Sequence, residues 1–166
     1  MTSSPPRTRA PARRFDSPEQ EAFLSLWRTY DRLRELEDKL FARFDLTPQQ
    51  YNALRLLRAE HPELLPTLTL AERLVSRAPD ITRMIDKLEQ RRPQALIARS
   101  RPPHDRRTVQ VGITEPGLAL LDRIAGPLRA CHARQLGHLP PADLKKLVAL
   151  LKAAREPHEP DGSPWR

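Results

Sequence analysis

The apolar residues change their spacing in one region of the chain, and this change restricts the fold more than any other feature. Before residue 90 and after residue 114 they recur every three or four residues, which is typical of helices with one buried face. Between these regions, residues 96–100 and 108–113 have the alternation of short strands, most clearly at Val109, Val111 and Ile113. The pattern predicts a mainly α-helical protein with one small β-hairpin, in the order α-α-α-α-β-β-α-α.

The first predicted helix is unusually long for a small domain. It begins at Ser17-Pro18, where Gln20 is placed to complete a capping box. It is either a long core helix or a helix shared between the core and a dimer interface, and its length favours the second interpretation. Its apolar residues are Phe23, Leu26, Trp27, Tyr30, Leu33, Leu36, Leu40, Phe41 and Phe44.

The second predicted helix repeats this start signal. Thr47-Pro48 begins it, with Gln50 in the capping-box position, and His61-Pro62 ends it. A proline-broken connector is predicted over residues 64–68. The inward residues of this helix include Tyr51, Leu54 and Leu57.

Two short helices are predicted next, over about Leu70–Ser76 and from Pro79 onwards, with a tight turn at Arg77-Ala78. Together they form a helix-turn-helix, a weak signal alone because many helical proteins contain such a pair. In the second helix the apolar residues expected to face inward are Ile81, Met84, Ile85 and Leu88. The polar residues expected to face outward are Thr82, Arg83, Asp86 and Lys87.

The loop of the hairpin, residues 101–107, contains two prolines and three arginines. A β-hairpin directly after a helix-turn-helix is a wing, and the two features together are much more specific than either one. The predicted fold class is therefore a winged helix-turn-helix. Thr114 then caps a fifth helix with a kink expected at Pro127, and Pro140-Pro141 begins a sixth.

The net charge of +8 is concentrated in two places. Residues 1–14 contain four arginines and no acidic residue, and residues 77–107 contain nine lysines and arginines against four acidic residues. Such concentration is expected of a surface that meets polyanions. Residues 1–14 are predicted to be a disordered basic arm, although a solvated tail with no task fits equally well.

Several classes of protein are disfavoured by what the sequence contains. The single cysteine, Cys131, cannot form an intramolecular disulfide, and no stretch is as apolar as a membrane span, so a cytoplasmic protein is expected. The five histidines lack the spacing of a zinc site, and no phosphate-binding or nucleophile motif is present, so neither an enzyme nor a cofactor is expected. Cys131 is interpreted as a packed, inert thiol rather than an oxidant sensor.

The predicted roles in DNA binding follow from docking the helix that begins near Pro79 in the major groove. Arg83 is the best candidate to read a base, because its guanidinium can bond to guanine with two hydrogen bonds; the plainer interpretation is a solvated surface residue. Thr82 is short enough to meet a phosphate or a thymine methyl group, whereas Asp86 is expected to pair with a nearby basic residue. Contacts to the DNA backbone are expected from Ser76, Arg77, Arg99 and Arg101. Lys87 is a further candidate for DNA binding on the same helix.

Five segments of the chain resemble MarR-type (multiple antibiotic resistance) regulators, which are winged-helix proteins of bacteria and archaea. The resemblance extends from about Ser17 to Arg155. The Asp-Arg-Arg sequence of the wing, followed by the Thr-Glu-Pro-Gly helix start, is its most specific part. The five segments are Leu46–Arg55, Leu70–Leu74, Ile81–Glu89, Asp105-Arg106-Arg107 and Ile113–Gly117.

The resemblance implies a homodimer formed by the first and last two helices, about 17–44 and 114–155, around a DNA-binding lobe of about 47–113. The whole domain would occupy 15–156, with a flexible tail at 157–166. A repressor that acts on a pseudo-palindromic operator, with half-sites about one helical turn apart, is the expected activity. The resemblance also implies that Asp105 stiffens the wing, and Arg106 and Arg107 are both candidates for insertion into the minor groove.

Relatives of this type often respond to small aromatic or lipophilic acids. Trp27, Tyr30, Phe41 and Tyr51 could line a pocket for such a ligand, although aromatic residues of this kind are more often ordinary core.

One departure from the family pattern concerns the exit from the helix that reads DNA. Family members usually have an Arg-Gly-Leu turn there, whereas residues 91–96 lack glycine and contain extra residues, so the wing is expected to be oriented differently.

The main alternative is a helical protein-interaction module whose basic loop binds acidic partners or RNA without reading a DNA sequence. Competition between a two-fold symmetric operator and random duplex DNA separates the two hypotheses.

Overall fold

A computed structural model describes residues 15–75, 80–101 and 108–164. The chain divides after Glu35 into two compact units, and α1 is continuous through the division. The described helices are α1 (Pro18–Ala42), α2 (Pro48–Glu60), α3 (Thr67–Arg73), α4 (Ile81–Glu89), α5 (Glu115–Leu136) and α6 (Pro141–Arg155). The strands are β1 (Leu65–Pro66), β2 (Ile97–Ser100) and β3 (Gln110–Ile113), and a 3₁₀ turn occupies Glu156–His158.

The predicted starts of α1 and α2 are confirmed by capping bonds, but only α2 has the complete capping box that the sequence predicts for both. In α2 the Thr47 hydroxyl accepts the N–H of Gln50 at 3.2 Å, and the Gln50 side chain accepts the N–H of Thr47 at 2.9 Å. In α1 the Ser17 hydroxyl accepts the N–H of Gln20 at 3.2 Å, but the Gln20 side chain turns to the N–H of Asp16. These bonds satisfy donors that a helix leaves unpaired in its first turn.

The two helices of the helix-turn-helix lie at slightly different positions from those predicted. The helix α3 covers Thr67–Arg73 rather than Leu70–Ser76. The helix α4 begins at Ile81, not at Pro79, because the Asp80 carboxylate accepts the N–H of Arg83 at 2.8 Å and caps the helix there. The predicted turn at Arg77-Ala78 lies outside the described residues.

The prediction of a proline-broken connector over residues 64–68 was wrong in part, because Leu65–Pro66 form β1 and α3 begins at Thr67. The three strands form an antiparallel sheet in the order β1-β3-β2. Leu65 pairs with Val111, and Ile97 pairs with Ile113. A two-residue strand that contains a proline has no alternation to reveal it, so its pairing comes from the neighbouring strand β3.

The core of the unit that begins at Leu36 joins the sheet to the helices. Burial of each large apolar side chain contributes about 1.5–3 kcal/mol to the free energy of folding. The cluster of buried apolar side chains therefore holds α2, α4, α5 and the sheet together. In contrast, α6 has no buried residue. In the described part of the chain, no helix combines the length and apolar character needed to cross a bilayer. The least exposed large side chains are Phe41, Leu54, Leu57, Leu70, Ile85, Leu88, Ile97, Val111 and Ile124.

Candidate nucleic-acid interface

The two faces of α4 differ as the sequence predicts. Met84, Ile85 and Leu88 are buried, with Ile85 and Leu88 each only 1% exposed. Thr82, Arg83 and Lys87 are exposed on the opposite face. A short helix therefore presents one threonine and two basic side chains to solvent while its apolar face holds it in the core, an arrangement suited to insertion in a DNA groove.

Asp80 sets the position of Arg83 within the helix. The carboxylate of Asp80 accepts the N–H of Arg83 at 2.8 Å, and the carbonyl of Asp80 accepts the N–H of Met84 at 3.1 Å. Arg83 therefore lies in the first turn of α4, at the positive end of the helix dipole. The cap fixes the backbone from which the Arg83 side chain extends. A fixed backbone is needed to place a side chain against a base edge, whereas a contact to a phosphate requires less precision.

The predicted ion pair of Asp86 with a nearby basic residue is present, and its partner is Arg99 on β2. Arg99 Nη2 donates to Asp86 Oδ1. Glu89 Oε2 lies 2.9 Å from Arg99 Nε, and Glu89 Oε1 accepts the backbone N–H of Arg99 at 3.3 Å. The two carboxylates belong to α4, so Arg99 connects β2 to α4.

This arrangement argues against the role that the sequence analysis gave to Arg99. The hydrogen bond that Arg99 donates to Asp86, more than any other influence, raises the pKa of the Arg99 guanidinium above its ordinary value. A phosphate would have to displace carboxylates that already neutralise this charge, at a cost that a solvated arginine does not have. Arg101 follows β2 and is exposed, and its role as a contact to the DNA backbone stays a prediction.

Five of the candidates lie outside the described residues. They belong to the segments 76–79 and 102–107, for which the sequence predicts the turn before α4 and the loop of the wing. Their predicted roles stay predictions. These residues are Ser76, Arg77, Asp105, Arg106 and Arg107.

The base of the wing is fixed to the core at the start of α5. The Thr114 hydroxyl donates to the carbonyl of Ala95 at 2.7 Å and accepts the N–H of Gly117 at 3.3 Å. The N–H of Thr114 donates to the carbonyl of Leu96 at 3.1 Å. A Cβ atom on Gly117 would lie 2.3 Å from the Leu96 carbonyl oxygen, so only glycine permits this close approach. The Thr-Glu-Pro-Gly sequence thus has a packing function that the sequence analysis did not identify.

The segment that follows α4, residues 90–96, contains no glycine, unlike the Arg-Gly-Leu turn of the family pattern. The helix ends at Glu89, with Gln90 as its cap residue, and the Arg92-Pro93 peptide bond is cis. The N–H of Leu96 donates to the carbonyl of Leu88 at 3.0 Å, which returns the chain to the end of the helix. Arg91 reaches in the other direction, to the backbone carbonyls of Phe44 and Asp45.

The four aromatic residues of the predicted ligand pocket have different surroundings. Phe41 is 1% exposed and stacks on Tyr51, with ring centroids 4.7 Å apart. Trp27 and Tyr30 belong to the N-terminal unit, where they are 62% and 59% exposed. Phe41 and Tyr51 thus pack as core residues do, and the ligand pocket stays a prediction.

Cys131 is buried in α5, and its surroundings disfavour the thiolate. Burial is the main cause that raises the pKa of its thiol, and the nearby carboxylate of Glu37 adds to the effect. Among the described residues, no group of three or more histidine, cysteine, aspartate or glutamate side chains is placed to hold a metal ion.

The chain is similar to known transcriptional regulators in sequence and structure. The model of the MarR family matches residues 46–109. A MarR transcription factor from Planctomyces limnophilus is 51% identical, with 84% of this chain and 99% of that chain covered and a TM-score of 0.66. The uncharacterized HTH-type transcriptional regulator YkoM of Bacillus subtilis is 29% identical over 84% of this chain and 90% of its own length. BpsR of Bordetella bronchiseptica, whose DNA binding is regulated by 6-hydroxynicotinic acid, is 25% identical, with 81% and 98% covered and a TM-score of 0.71.

Proposed function

This chain belongs to the MarR family of DNA-binding, helix-turn-helix transcriptional regulators, and from that premise we propose that it is a cytoplasmic homodimeric repressor of a pseudo-palindromic operator. The family consists of transcriptional regulators, which confirms the prediction that the chain is not an enzyme. The same membership disfavours the alternative of a protein-interaction or RNA-binding module.

The outward face of α4 is the observation that carries the proposal. Arg83 projects from the capped first turn, and Thr82 and Lys87 are exposed on the same helix. Arginine in this position can bond to the edge of guanine, a contact that contributes about 1–3 kcal/mol of discrimination between bases. Arg101 and the arginines of the wing would supply charge that strengthens binding to any sequence.

Homodimerisation is supported by apolar side chains that the single chain leaves in solvent. On α1 these are Phe23, Leu26, Trp27 and Tyr30, each between 48% and 62% exposed. On α6, Val148 is 67% and Leu150 is 59% exposed, and the helix has no buried residue. Exposed apolar surface of this extent is typical of an interface, and a two-fold partner would cover the same helices on both copies.

In this proposal a small aromatic or lipophilic ligand releases the protein from its operator. Support for this release comes from BpsR, whose DNA binding is regulated by 6-hydroxynicotinic acid. The exposed Trp27 provides a fluorescence signal for ligand titrations if it lines the site with Tyr30, Phe41 and Tyr51.

The test of operator recognition selects duplexes from a random-sequence library with the full chain and then measures competition at moderate salt. We expect selected sequences with two half-sites about one helical turn apart, bound at least about a thousandfold more tightly than random duplex. Arg83→Ala should relax the sequence preference, whereas Arg107→Ala should weaken binding to all sequences. A selected duplex that competes no better than random DNA would refute operator recognition.

The test of the homodimer is the mass in solution. Sedimentation equilibrium is expected to give twice the 19.1 kDa of one chain. Val148→Asp should lower this mass by placing a charge in the α6 interface, whereas Leu68→Asp, at an exposed position on α3, should leave it unchanged. A wild-type mass of one chain at micromolar concentration contradicts the proposed dimer.

A further inference from the structure

A single side chain connects the end of α4 to the end of α1. Arg91 follows the cap residue Gln90 of α4. Its Nη2 donates to the carbonyl oxygen of Phe44 at 2.8 Å, and its Nη1 donates to the carbonyl oxygen of Asp45 at 3.1 Å. We call this pair of hydrogen bonds the Arg91 clamp.

The carbonyls that Arg91 binds lie just beyond the bonds that close α1. The N–H of Leu46 donates to the carbonyl of Phe41 at 3.1 Å, and the N–H of Asp45 donates to the carbonyl of Ala42 at 3.1 Å. Asp45 has a φ of 54°, so the helix ends in a Schellman motif. These bonds use the carbonyls of Phe41 and Ala42. Arg91 donates to the carbonyls of Phe44 and Asp45, which follow them in the chain.

A guanidinium suits this position better than any other side chain. Its planar fork supplies two donors at fixed separation, which an ammonium group cannot do, so it can hold two successive carbonyls at once. Its positive charge also lies at the negative end of the α1 dipole. The clamp therefore fixes direction as well as distance between the two helix ends.

The clamp acts directly on the position of α4 because Arg91 lies only two residues after Glu89, the last residue of that helix. The other end of the connecting segment is held as well, since the N–H of Leu96 donates to the carbonyl of Leu88 at 3.0 Å. Because the segment is held to α4 at Leu88 and to the end of α1 by Arg91, it resists rotation of α4 relative to the end of α1.

We propose that Arg91 is a positioning residue for DNA recognition, which orients α4 against the end of α1 and does not itself contact DNA. The inference rests on the proposed homodimer and operator. In that homodimer the clamp would hold each α4 in one orientation against Phe44 and Asp45 of its own protomer. It would thereby determine which separation of half-sites the protein accepts.

The experiment compares wild type, Arg91→Ala, Arg91→Lys and Arg92→Ala on the duplex that the wild type selects from a random library. A second duplex has one base pair inserted at its centre, which changes the separation of the half-sites. A duplex of random sequence measures the binding that does not depend on sequence. For Arg91→Ala we expect the preference for the selected duplex over the other two to fall about tenfold. The slope of log K against log salt should stay unchanged. Arg92→Ala removes the same charge from the neighbouring exposed residue and should preserve the preference.

Each outcome decides a different point. Arg91→Lys keeps the charge without the fork, so a preference as low as that of Arg91→Ala supports the clamp, and full recovery overturns it. A salt slope reduced by about 0.9 in Arg91→Ala, with equal losses on all duplexes, would identify a phosphate contact instead. An unchanged preference in Arg91→Ala also refutes the inference.

Failure of the wild type to prefer any duplex would remove the proposed function and this inference with it. If Arg91→Ala does not fold, as judged by circular dichroism, the comparison of Arg91→Lys with Arg92→Ala decides the question.

Discussion

Two glycines of α5 should respond in opposite directions to the same substitution. Gly117 is buried in the first turn, where it meets the base of the wing, and Gly126 lies in the middle of the helix. An added Cβ at Gly117 would lie 2.3 Å from the Leu96 carbonyl oxygen and 2.7 Å from Ile113 Cγ1. An added Cβ at Gly126 would have no neighbour within 4 Å.

The expected cost of Gly117→Ala follows from these distances. A Cβ and a carbonyl oxygen need about 1 Å more than the structure offers, and the oxygen is backbone, so a side-chain rotation cannot relieve the contact. Moving Leu96 would also disturb the hydrogen bond that its carbonyl accepts from the N–H of Thr114. Overpacking of this kind costs about 1–3 kcal/mol, and we expect the upper part of this range. Since 1 kcal/mol shifts the melting temperature of a domain of this size by about 2–4 °C, a decrease of about 5–10 °C is expected.

Gly126→Ala provides the matched control in the same helix. Alanine is favoured over glycine in a helix interior by about 0.5–1 kcal/mol. Pro127 follows, and a proline restricts the residue before it, which takes away part of this gain. We therefore expect a melting temperature that is unchanged or raised by a few degrees.

The assay is thermal unfolding followed by circular dichroism at 222 nm, with all three proteins at one concentration because association would shift the transition. The reasoning would be refuted by a Gly117→Ala protein that melts with the wild type. A loss in Gly126→Ala as large as that in Gly117→Ala would equally refute it, because helix flexibility and not the contact with Leu96 would then be the cause.

Three further predictions concern Asp45, the pair of Asp86 and Arg99, and Cys131. Asp45 has a left-handed backbone conformation, so Asp45→Gly should raise the free energy of unfolding by about 0.5 kcal/mol and Asp45→Ala should lower it; equal effects of the two would contradict this. A double-mutant cycle on Asp86→Ala and Arg99→Ala should give a coupling of about 1 kcal/mol in urea unfolding, and a coupling near zero would show that the ion pair does not stabilise the joint between α4 and β2. Burial, with a smaller contribution from Glu37, raises the pKa of the Cys131 thiol, so at pH 7–8 less thiolate is present than in a free cysteine. Iodoacetamide should therefore modify Cys131 at least about tenfold more slowly than it modifies the urea-unfolded chain, and equal rates would show that the thiol is accessible and ionised.

The sequence by itself determined the elements that depend on neighbouring residues. Thr47 and Gln50 form their capping box because all its donors and acceptors lie within four residues of one another. The separation of Ile85 and Leu88 from Thr82, Arg83 and Lys87 follows from the helical period alone. The strand β3 lies where Val111 and Ile113 alternate in the sequence, although Gly112 between them is buried as well. The predicted pairing of Asp86 with a basic residue was confirmed, although the sequence did not identify Arg99 as the partner.

The tertiary structure decided the contacts between residues that are far apart in the chain. The strand β1 exists because Leu65 and Pro66 meet Val111 and Gln110. Arg99 looks like any other arginine near the wing until α4 brings two carboxylates to it, and Arg91 looks like a surface charge until the end of α1 lies within its reach. Such roles depend on distances that packing sets, and local propensities contain no information about them.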